Sequence, residues 1–323
     1  MRFLSFSSKV KSELLHCFGE ARHCCIAEIA AIINYCGEIE EKNGKFCVKI
    51  QTENISLARK YFTLLKNTFN IECEMLVKRN TTLKKNRVYI LELGEGQKDT
   101  EKVLMAAGIL KNTPEGRLIS KSVSPLVVSS ICCKRAFIRG AFLSSGSVSD
   151  PEKNYHAEFV CSGEENSEQL KNIINSFDLE AKIIKRKEHY VVYLKEGEQI
   201  ADLLNIMGAH VSLLDMENVR ILKDMRNNVN RKVNCETANL NKTIAASVKQ
   251  IEDIEFIRDN YGFEYLPKTL EDMAVVRLEY PEASLKELGE MMEPKVGKSG
   301  VNHRLRKISS IADGLREGNL TDV

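Results

Sequence analysis

Basic and amide side chains are concentrated near the C-terminus, in the stretch KSGVNHRLRKI that begins at Lys298. Asn and Arg form paired hydrogen bonds to the edges of adenine and guanine, whereas Lys and Arg bind phosphate groups. Between Pro294 and Ile308 there are five Lys or Arg residues and no Asp or Glu. These residue types, concentrated in one short stretch, fit contact with a nucleic acid.

A helix through this stretch would have a core face and an exposed face. At about 100° per residue, the apolar side chains share one stripe: Val301, Leu305, Ile308, Ala312 and Leu315. The polar side chains lie on the opposite face, which is the one we predict to contact DNA: Ser299, Asn302, His303, Arg306 and Ser310. We predict that Asn302, His303 and Arg306 contact bases. Phosphates would run along the sides of the helix, where the candidates are Lys298, Arg304 and Lys307.

The segment before this helix predicts the first half of a helix-turn-helix at residues 284–310. In SLKELGEMM, Ser284 and Glu287 have the spacing of a capping box. Leu288 is expected to point inward, and Gly289 to admit a neighbouring helix. Pro and Gly then break the chain, in a turn longer than the usual three or four residues. The alternative is an exposed helix of a helical bundle whose basic face has no ligand.

Residues 223–240 are polar and basic, and we expect a linker there. Arg226, Arg231 and Lys232 are candidates for additional phosphate contacts, although such a run can equally be a solvated surface. Apolar residues from Leu240 onward then recur at helical spacing, and a second helix is expected from Thr269. Residues 241–323 are therefore predicted to form a helical domain.

The first two thirds of the chain contain an internal repeat. When Cys24 is aligned with Cys133, the segment CCIAEIAAIINYCGEI falls on CKRAFIRGAFLSSGSV, and glycine meets glycine at Gly37 and Gly146. Each copy continues as two strands, a helix, a strand and a helix, with a further strand possible around residues 72–79 and 181–187. The predicted fold is therefore α/β (α+β), a bilobal, pseudo-twofold domain with lobes at 1–113 and 114–222.

The first helix of each copy, IAAIINYCG and IRGAFLSSG, has small residues where two helices could approach closely. With the duplication, these helices resemble the LAGLIDADG homing endonucleases. In that family an acid before the terminal glycine holds the catalytic metal, but here those positions are Cys36 and Ser145. A thiol and a hydroxyl lack the charged oxygen ligands that Mg²⁺ requires. We therefore expect no catalytic residue, no metal site and no cofactor; Glu38 and Asp150, the nearest acids, align with neither motif position.

Composition limits the remaining classes of function. The formal net charge is +2, so a surface for a polyanion must be a local patch. Ten cysteines include the adjacent pairs Cys24–Cys25 and Cys132–Cys133 but no CxxC spacing, which favours reduced thiols in a cytoplasmic protein. The absence of a run of about 20 apolar residues argues against a membrane span.

Nearly the whole sequence resembles the WhiA family of bacterial proteins. The residues that carry this resemblance are the duplicated helices, the linker NRKVNCETAN from Asn230, and SLKELGE with KSGVNHRLRKI. The resemblance implies a nucleoid-associated protein that binds double-stranded DNA and regulates transcription in sporulation, or cell division and chromosome segregation. It also allows contact with the transcription machinery, such as an RNA polymerase sigma factor, or with a cell-division protein.

Three hypotheses follow. The leading one is a non-catalytic DNA-binding regulator that reads DNA through residues 284–310. The second is a scaffold that binds a protein partner through the bilobal body, with secondary DNA binding, because the first sheet strands are not rich in Arg or Lys. The third, a metal-dependent DNA endonuclease, is disfavoured by Cys36 and Ser145.

Overall fold

The structure, a computed structural model, describes residues 5–42, 45–71, 73–79, 87–93, 100–114 and 116–317. The chain divides into two compact units, residues 1–223 and residues 224–323, which we term the N-terminal and C-terminal units. Each unit has its own hydrophobic core. The N-terminal unit combines helices with antiparallel sheets, and the C-terminal unit is helical.

The N-terminal unit contains two copies of one order of helices and strands. After α1 (Phe6–Leu14), the first copy consists of α2 (Arg22–Cys36), β1 (Gly37–Lys42), β2 (Lys45–Thr52), α3 (Ile55–Phe69), β3 (Glu74–Arg79), β4 (Arg87–Leu93) and α4 (Thr100–Ala106). Between the copies lie β5 (Leu110–Thr113), β6 (Gly116–Ile119) and a 3₁₀ turn (Pro125–Val128). The second copy consists of α5 (Ile131–Ser145), β7 (Gly146–Val148), β8 (Ala157–Cys161), α6 (Glu164–Asn175), β9 (Lys182–Arg186), β10 (His189–Leu194) and α7 (Gly197–Met207). The further strand of each copy is therefore present as β3 and β9; Glu72, at the expected start of the first, lies outside the described residues.

Each copy forms a four-stranded antiparallel sheet with the same strand order. The two orders are β1-β2-β4-β3 and β7-β8-β10-β9. The register repeats as well, because Gly37 pairs with Ile50 in one sheet and Gly146 pairs with Phe159 in the other. The alignment that matches Gly37 to Gly146 in the sequence also matches Ile50 to Phe159. A slip of one residue would exchange the two faces of a sheet, so this shared register confirms the duplication.

The two central helices, α2 and α5, contact each other through small residues. Ala31 and Ala141 are fully buried. A Cβ atom added to Gly140 on α5 would lie 2.7 Å from the carbonyl oxygen of Glu28 and 3.0 Å from the Cβ atom of Ala31 on α2. Both separations are shorter than ordinary van der Waals contact, so the helices could not approach this closely around a larger residue.

The terminal glycines of the motif allow each central helix to pass directly into a strand. Gly37 follows α2 and begins β1, and Gly146 follows α5 and begins β7. A Cβ atom on Gly37 would lie 2.5 Å from the carbonyl oxygen of Ile33, and one on Gly146 would collide with Phe142. Both glycines have ordinary negative φ angles. Their requirement is therefore steric, since the chain reverses onto its own last helical turn.

A buried carboxylate connects the central helices to their neighbours. Glu28 on α2 is fully buried, and its Oε1 atom lies 2.8 Å from Nζ of Lys60 on α3. Its Oε2 atom lies 2.8 Å from Nη2 of Arg139 on α5. The Lys60 ammonium also donates to the carbonyls of Leu14 and Cys17. Burial lowers the pKa of Lys60, and the charge of Glu28 opposes that shift. Each charge in this group thus has a charged partner within the core.

Residues 223–240, where we expect a linker, are helical. They belong to α8 (His210–Tyr261), a helix of 52 residues that begins well before Leu240. Its sequence contains no Pro or Gly, so nothing interrupts the backbone hydrogen bonds despite the polar composition. Leu240, Ile244 and Val248 are exposed, whereas Ile254 and Ile257 are buried. No helix within the described ranges is long and apolar enough to cross a membrane.

The C-terminal unit packs three shorter helices against the end of α8. These are α9 (Lys268–Glu279), α10 (Leu285–Met291) and α11 (Lys298–Arg316). The five apolar residues predicted for the core face of α11 are all buried: Val301, Leu305, Ile308, Ala312 and Leu315. They contact a core that includes Leu270 and Met273 of α9 and Leu288 of α10. Helical phase alone therefore placed the core face of α11 correctly.

We expect Gly140→Ala to lower the free energy of unfolding of the N-terminal unit by about 1–3 kcal/mol, because the added methyl group overpacks the contact between α2 and α5. Urea unfolding followed by circular dichroism measures this change. The control is Ile131→Ala at the start of the same helix, where the side chain is 66% exposed and the expected change is within about 0.5 kcal/mol. Equal effects of the two substitutions would contradict the close approach.

Glu28→Gln should destabilise the N-terminal unit by about 3–5 kcal/mol, because Lys60 and Arg139 would be left as buried charges without a counter-ion. The matched control is Glu101→Gln, which removes the exposed ion pair with Arg117 and should cost no more than about 1 kcal/mol. Denaturant titration of both variants measures the two changes in the free energy of unfolding. A Glu28→Gln variant as stable as the control would show that the carboxylate does not hold the two cations.

Candidate nucleic-acid interface

Helix α10 begins with the capping box that the sequence predicts. The hydroxyl of Ser284 accepts a hydrogen bond from the backbone N–H of Glu287 at 3.4 Å. In return, the Glu287 carboxylate accepts one from the backbone N–H of Ser284 at 2.8 Å. This hydrogen bond from the Ser284 backbone lowers the pKa of Glu287. The two bonds satisfy N–H groups that would otherwise have no partner, and they fix where α10 starts.

The turn between α10 and α11 packs directly on Gly289. The backbone N–H of Val296 donates to the Gly289 carbonyl at 3.0 Å, and a Cβ atom on Gly289 would collide with the Val296 carbonyl oxygen. The nearest neighbour of this glycine is therefore the turn, and the neighbouring helix that was expected is close as well, because Cγ2 of Val301 on α11 would lie 3.2 Å from the same Cβ atom. The turn comprises residues 292–297, and Met292 is buried within it. Its length is accommodated because its backbone lies on the glycine surface of α10.

The exposed side of α11 carries most of the predicted nucleic-acid contacts. Five of these side chains are exposed: Lys298, Ser299, His303, Arg306 and Lys307. Arg304 is half-buried at the side of the helix. Asn302 is also half-buried and borders a recess of about 210 Å³ with Lys242 of α8 and Ser284. The structure thus brings His303 and Arg306 together on the outer face and places Asn302 at its edge.

The charges of the C-terminal unit are segregated. Four cations elsewhere in the unit or at the C-terminal end of α11 are close to acids: Lys249 to Asp313, Arg258 to Asp259, Lys268 to Glu271 and Asp272, and Arg316 to Asp253. By contrast, in the part of the chain that the structure describes, the side chains of Lys298, Arg304, Arg306 and Lys307 form no ion pair or hydrogen bond. No side chain caps the N-terminus of α11, where Gly297 is the N-cap residue. This end of α11 therefore presents positive charge and backbone N–H groups that the chain itself does not neutralise.

The three linker candidates do not form one surface. Arg226, Arg231 and Lys232 are exposed on α8. Because α8 is a regular helix, Arg226 and Arg231 project about 140° apart around its axis, and Lys232 a further ~100°. A single DNA backbone could not follow all three. Their role in phosphate contact stays a prediction, and the geometry supports α11 more strongly.

Three family profiles match successive parts of the chain. Residues 22–110 match the WhiA N-terminal LAGLIDADG-like domain, residues 134–226 the WhiA LAGLIDADG-like domain, and residues 229–312 the WhiA C-terminal HTH domain. A protein of Lachnoclostridium phytofermentans, named "Probable cell division protein WhiA", is 54% identical over 317 residues, which cover 97% of this chain and 100% of that relative. The chain belongs to the WhiA family.

Further WhiA proteins support the assignment along the full length. The similarly named protein of Alkaliphilus oremlandii is 51% identical over 319 residues, 98% of this chain and 99% of the relative. The crystal structure of full-length DUF199/WhiA from Thermatoga maritima matches with a TM-score of 0.60 and 25% identity, covering 96% of this chain and 98% of that one. The predicted fold class, a LAGLIDADG-like domain followed by a helical helix-turn-helix domain, is confirmed.

In this WhiA-family chain, neutral side chains occupy both motif positions that hold acids in the homing endonucleases. The Cys36 thiol donates to the carbonyl of Ile32 at 3.1 Å, and the Ser145 hydroxyl donates to the carbonyl of Ala141 at 3.3 Å. Burial raises the pKa of Cys36, so its thiol keeps its proton. Both side chains are turned onto their own helices. Neither provides an anionic oxygen for a hard divalent cation.

The two neighbouring acids lie apart from each other. Glu38 is exposed on β1 and accepts a hydrogen bond from the side-chain amide of Gln51 at 3.4 Å. Asp150 is exposed in the turn after β7 and accepts one from the backbone N–H of Glu152 at 3.0 Å. Among the described residues, neither belongs to a group of His, Cys, Asp or Glu side chains arranged to hold an ion.

One group that the sequence analysis missed does have this arrangement. The ligand atoms of His23, Cys24, Cys132 and Cys133 all lie within 4.8 Å of one another. A search for CxxC spacing could not find them, because the two pairs are far apart in the chain. The internal repeat could have revealed them, since the alignment of the two copies places His23 on Cys132 and Cys24 on Cys133.

Ser284→Ala should weaken the start of α10 by about 1 kcal/mol, because the N–H of Glu287 loses its acceptor. Hydrogen exchange of the α10 backbone amides measures this as faster local opening. Ser310→Ala, at an exposed position of α11, is the control and should leave α10 unchanged. As the pH falls through the lowered pKa of Glu287, its half of the capping box is lost, and wild-type α10 should exchange faster beyond the intrinsic pH effect. An α10 insensitive to Ser284→Ala would argue against the cap.

Proposed function

We propose that this protein is a non-catalytic regulator that binds double-stranded DNA through α11 of its helix-turn-helix. The observation that carries the proposal is the set of unpaired cations between Lys298 and Lys307 of α11, whereas Lys249, Arg258, Lys268 and Arg316 of the same unit lie close to acids. A cation already paired with a carboxylate must lose that partner before it binds phosphate. The four cations from Lys298 to Lys307 have no such partner among the described residues, and so they can bind phosphate and displace DNA counter-ions without first breaking an ion pair.

Within this proposal the residues of α11 have different tasks. Arg306 and His303 lie on the outer face, and they contact base edges in the major groove. Lys298 and Lys307, together with the uncapped N-terminus of the helix, contact the phosphates on either side. Asn302, at the edge of the recess beside α8, contacts a base at the margin of the site. Arg304 is half-buried, and it contacts phosphate through its outer end.

In the N-terminal unit, one cation on each sheet is paired with acids. On the outer face of its first sheet, Lys49 lies 3.1 Å from Glu40 and 3.9 Å from Glu92. On the second sheet, Arg186 lies 3.0 Å from Glu158. Acids thus neutralise these cations within each sheet. We assign this unit to protein contact, with the transcription machinery, such as an RNA polymerase sigma factor, or with a cell-division protein.

The biological role follows from the family. Relatives that share about half of their residues with this chain over its full length carry the name of a cell division protein. We infer that this chain acts in cell division and chromosome segregation as a protein of the cytoplasmic nucleoid. Regulation of transcription is the means, because a helix-turn-helix positions a protein on particular sequences. The neutral Cys36 and Ser145 support the absence of nuclease activity.

The decisive test uses duplexes selected from a randomised pool by the full-length chain. Arg306→Ala should weaken binding to the selected site by ~1–3 kcal/mol and relax the base preference. Lys307→Ala should weaken all sequences alike and reduce the slope of log K against log salt by about 1. Fluorescence anisotropy titrations across a salt series measure both effects.

The matched control is Lys268→Ala, which removes the same charge from a cation paired with Glu271 and Asp272. It should leave both the affinity and the salt slope nearly unchanged. If Arg306→Ala and Lys307→Ala bind like the wild type, α11 does not contact DNA. If the wild type selects no duplex from the pool, the protein-scaffold hypothesis is favoured. Magnesium-dependent nicking of DNA that requires Glu38 or Asp150 would instead support the endonuclease hypothesis.

A further inference from the structure

Four side chains with metal-binding atoms meet at the N-terminal ends of the two central helices. His23 and Cys24 lie in the first turn of α2, and Cys132 and Cys133 lie in the first turn of α5. The Nδ1 atom of His23 is 3.1 Å from Sγ of Cys133, 3.4 Å from Sγ of Cys24 and 4.0 Å from Sγ of Cys132. All three thiols are free of disulfides. Three sulfur atoms and one ring nitrogen therefore surround one point.

The group follows the symmetry of the fold. The same alignment that matches the two copies places His23 on Cys132 and Cys24 on Cys133. Each copy thus supplies its two ligands from equivalent positions, and the pseudo-twofold axis passes between them. Convergence of four such side chains is built into the packing of α2 against α5, because Gly140 fixes the distance between these helices.

The distances match the requirements of zinc. Zn–S bonds of about 2.3 Å and Zn–N bonds of about 2.0–2.1 Å in a tetrahedron place the sulfur atoms about 3.8 Å apart and sulfur and nitrogen about 3.6 Å apart. The three observed separations between nitrogen and sulfur scatter around the latter value, and small rotations of the side chains would complete the tetrahedron. Thiolates and imidazole are the ligands that zinc prefers, whereas magnesium and calcium require oxygen.

The surroundings also favour a charged metal complex. Three thiolates, a neutral imidazole and Zn²⁺ together carry one negative charge. The N-termini of α2 and α5, each a helix of 15 residues, point their positive ends at it, and neither has a side-chain cap. Cys24 and Cys133 are buried, whereas His23 and Cys132 are exposed. An ion can therefore enter from the exposed side and be held against the core.

We propose that His23, Cys24, Cys132 and Cys133 form a structural zinc site that joins the two copies of the N-terminal unit. Zinc binding releases the three thiol protons to solvent and forms three Zn–S bonds and one Zn–N bond. All four tetrahedral positions are filled by protein, so the site has no open position for a substrate and acts as a cross-link. This site is separate from the DNA-binding face proposed for α11.

The test uses the untagged full-length chain, purified under reducing conditions with zinc supplied. Elemental analysis should find one zinc per chain, and replacement by Co²⁺ should give the visible absorption of tetrahedral cobalt bound by thiolates. Cys132→Ser and His23→Asn each remove one exposed ligand and should weaken metal binding at least about 100-fold, beyond the tenfold to hundredfold cost of losing an outer-shell partner. The control is Cys235→Ser, at an exposed cysteine of α8, which should bind the ion like the wild type.

Because the two substituted side chains are exposed, the variants should fold, which circular dichroism checks. Zinc should also slow hydrogen exchange in the first turns of α2 and α5 of the wild type, and in neither ligand variant. The proposal is overturned if the wild type binds neither ion, or if Cys132→Ser and His23→Asn bind it with unchanged affinity. A metal-free wild type whose proteolytic peptides contain a disulfide between two of Cys24, Cys132 and Cys133 would assign the cluster to a disulfide instead.

Discussion

The close contact between α2 and α5 at Gly140 is the constraint on which the N-terminal unit depends. At this point the backbone of α5 lies almost directly against α2, and the two helices of 15 residues each pack side by side. The same contact sets Arg139 against Glu28, and it brings the first turns of both helices together. Since each helix continues into a sheet, the contact also fixes where the two copies lie with respect to each other.

Features that recur at a fixed spacing along the chain could be predicted from the sequence. Contacts between residues that are far apart in the chain could not. The duplication, the two strand patterns and the buried stripe of α11 each recur at a fixed spacing. By contrast, Glu28, Lys60 and Arg139 have no spacing that reveals their contact, because the fold alone brings α2, α3 and α5 together. The His23 and Cys132 cluster belongs to the same class. Only the repeat, applied to cysteines as well as to hydrophobic patterns, could have indicated it.

Composition misled the prediction for α8. Residues 223–240 are rich in Asn and Lys, which suggested a linker, but the segment contains no residue that breaks a helix. Continuity of the backbone hydrogen bonds outweighed the low hydrophobicity, since both neighbouring segments are also helical. By contrast, the positive charge on the exposed side of α11 could be predicted from the sequence. The evidence was that a short stretch contains Lys and Arg but no acid. The composition of a short stretch does not depend on tertiary contacts.

The direct passage from helix to strand at Gly37 and Gly146 has a mechanical consequence. With no turn between the helix and the strand, the chain has no slack at these two points. A rotation of α2 relative to α5 would rotate β1 relative to β7, and the hydrogen bonds of these strands would carry the change across each sheet. The contact between α2 and α5 therefore sets the angle between the two sheets. Any change at that contact would therefore alter the position of one sheet relative to the other.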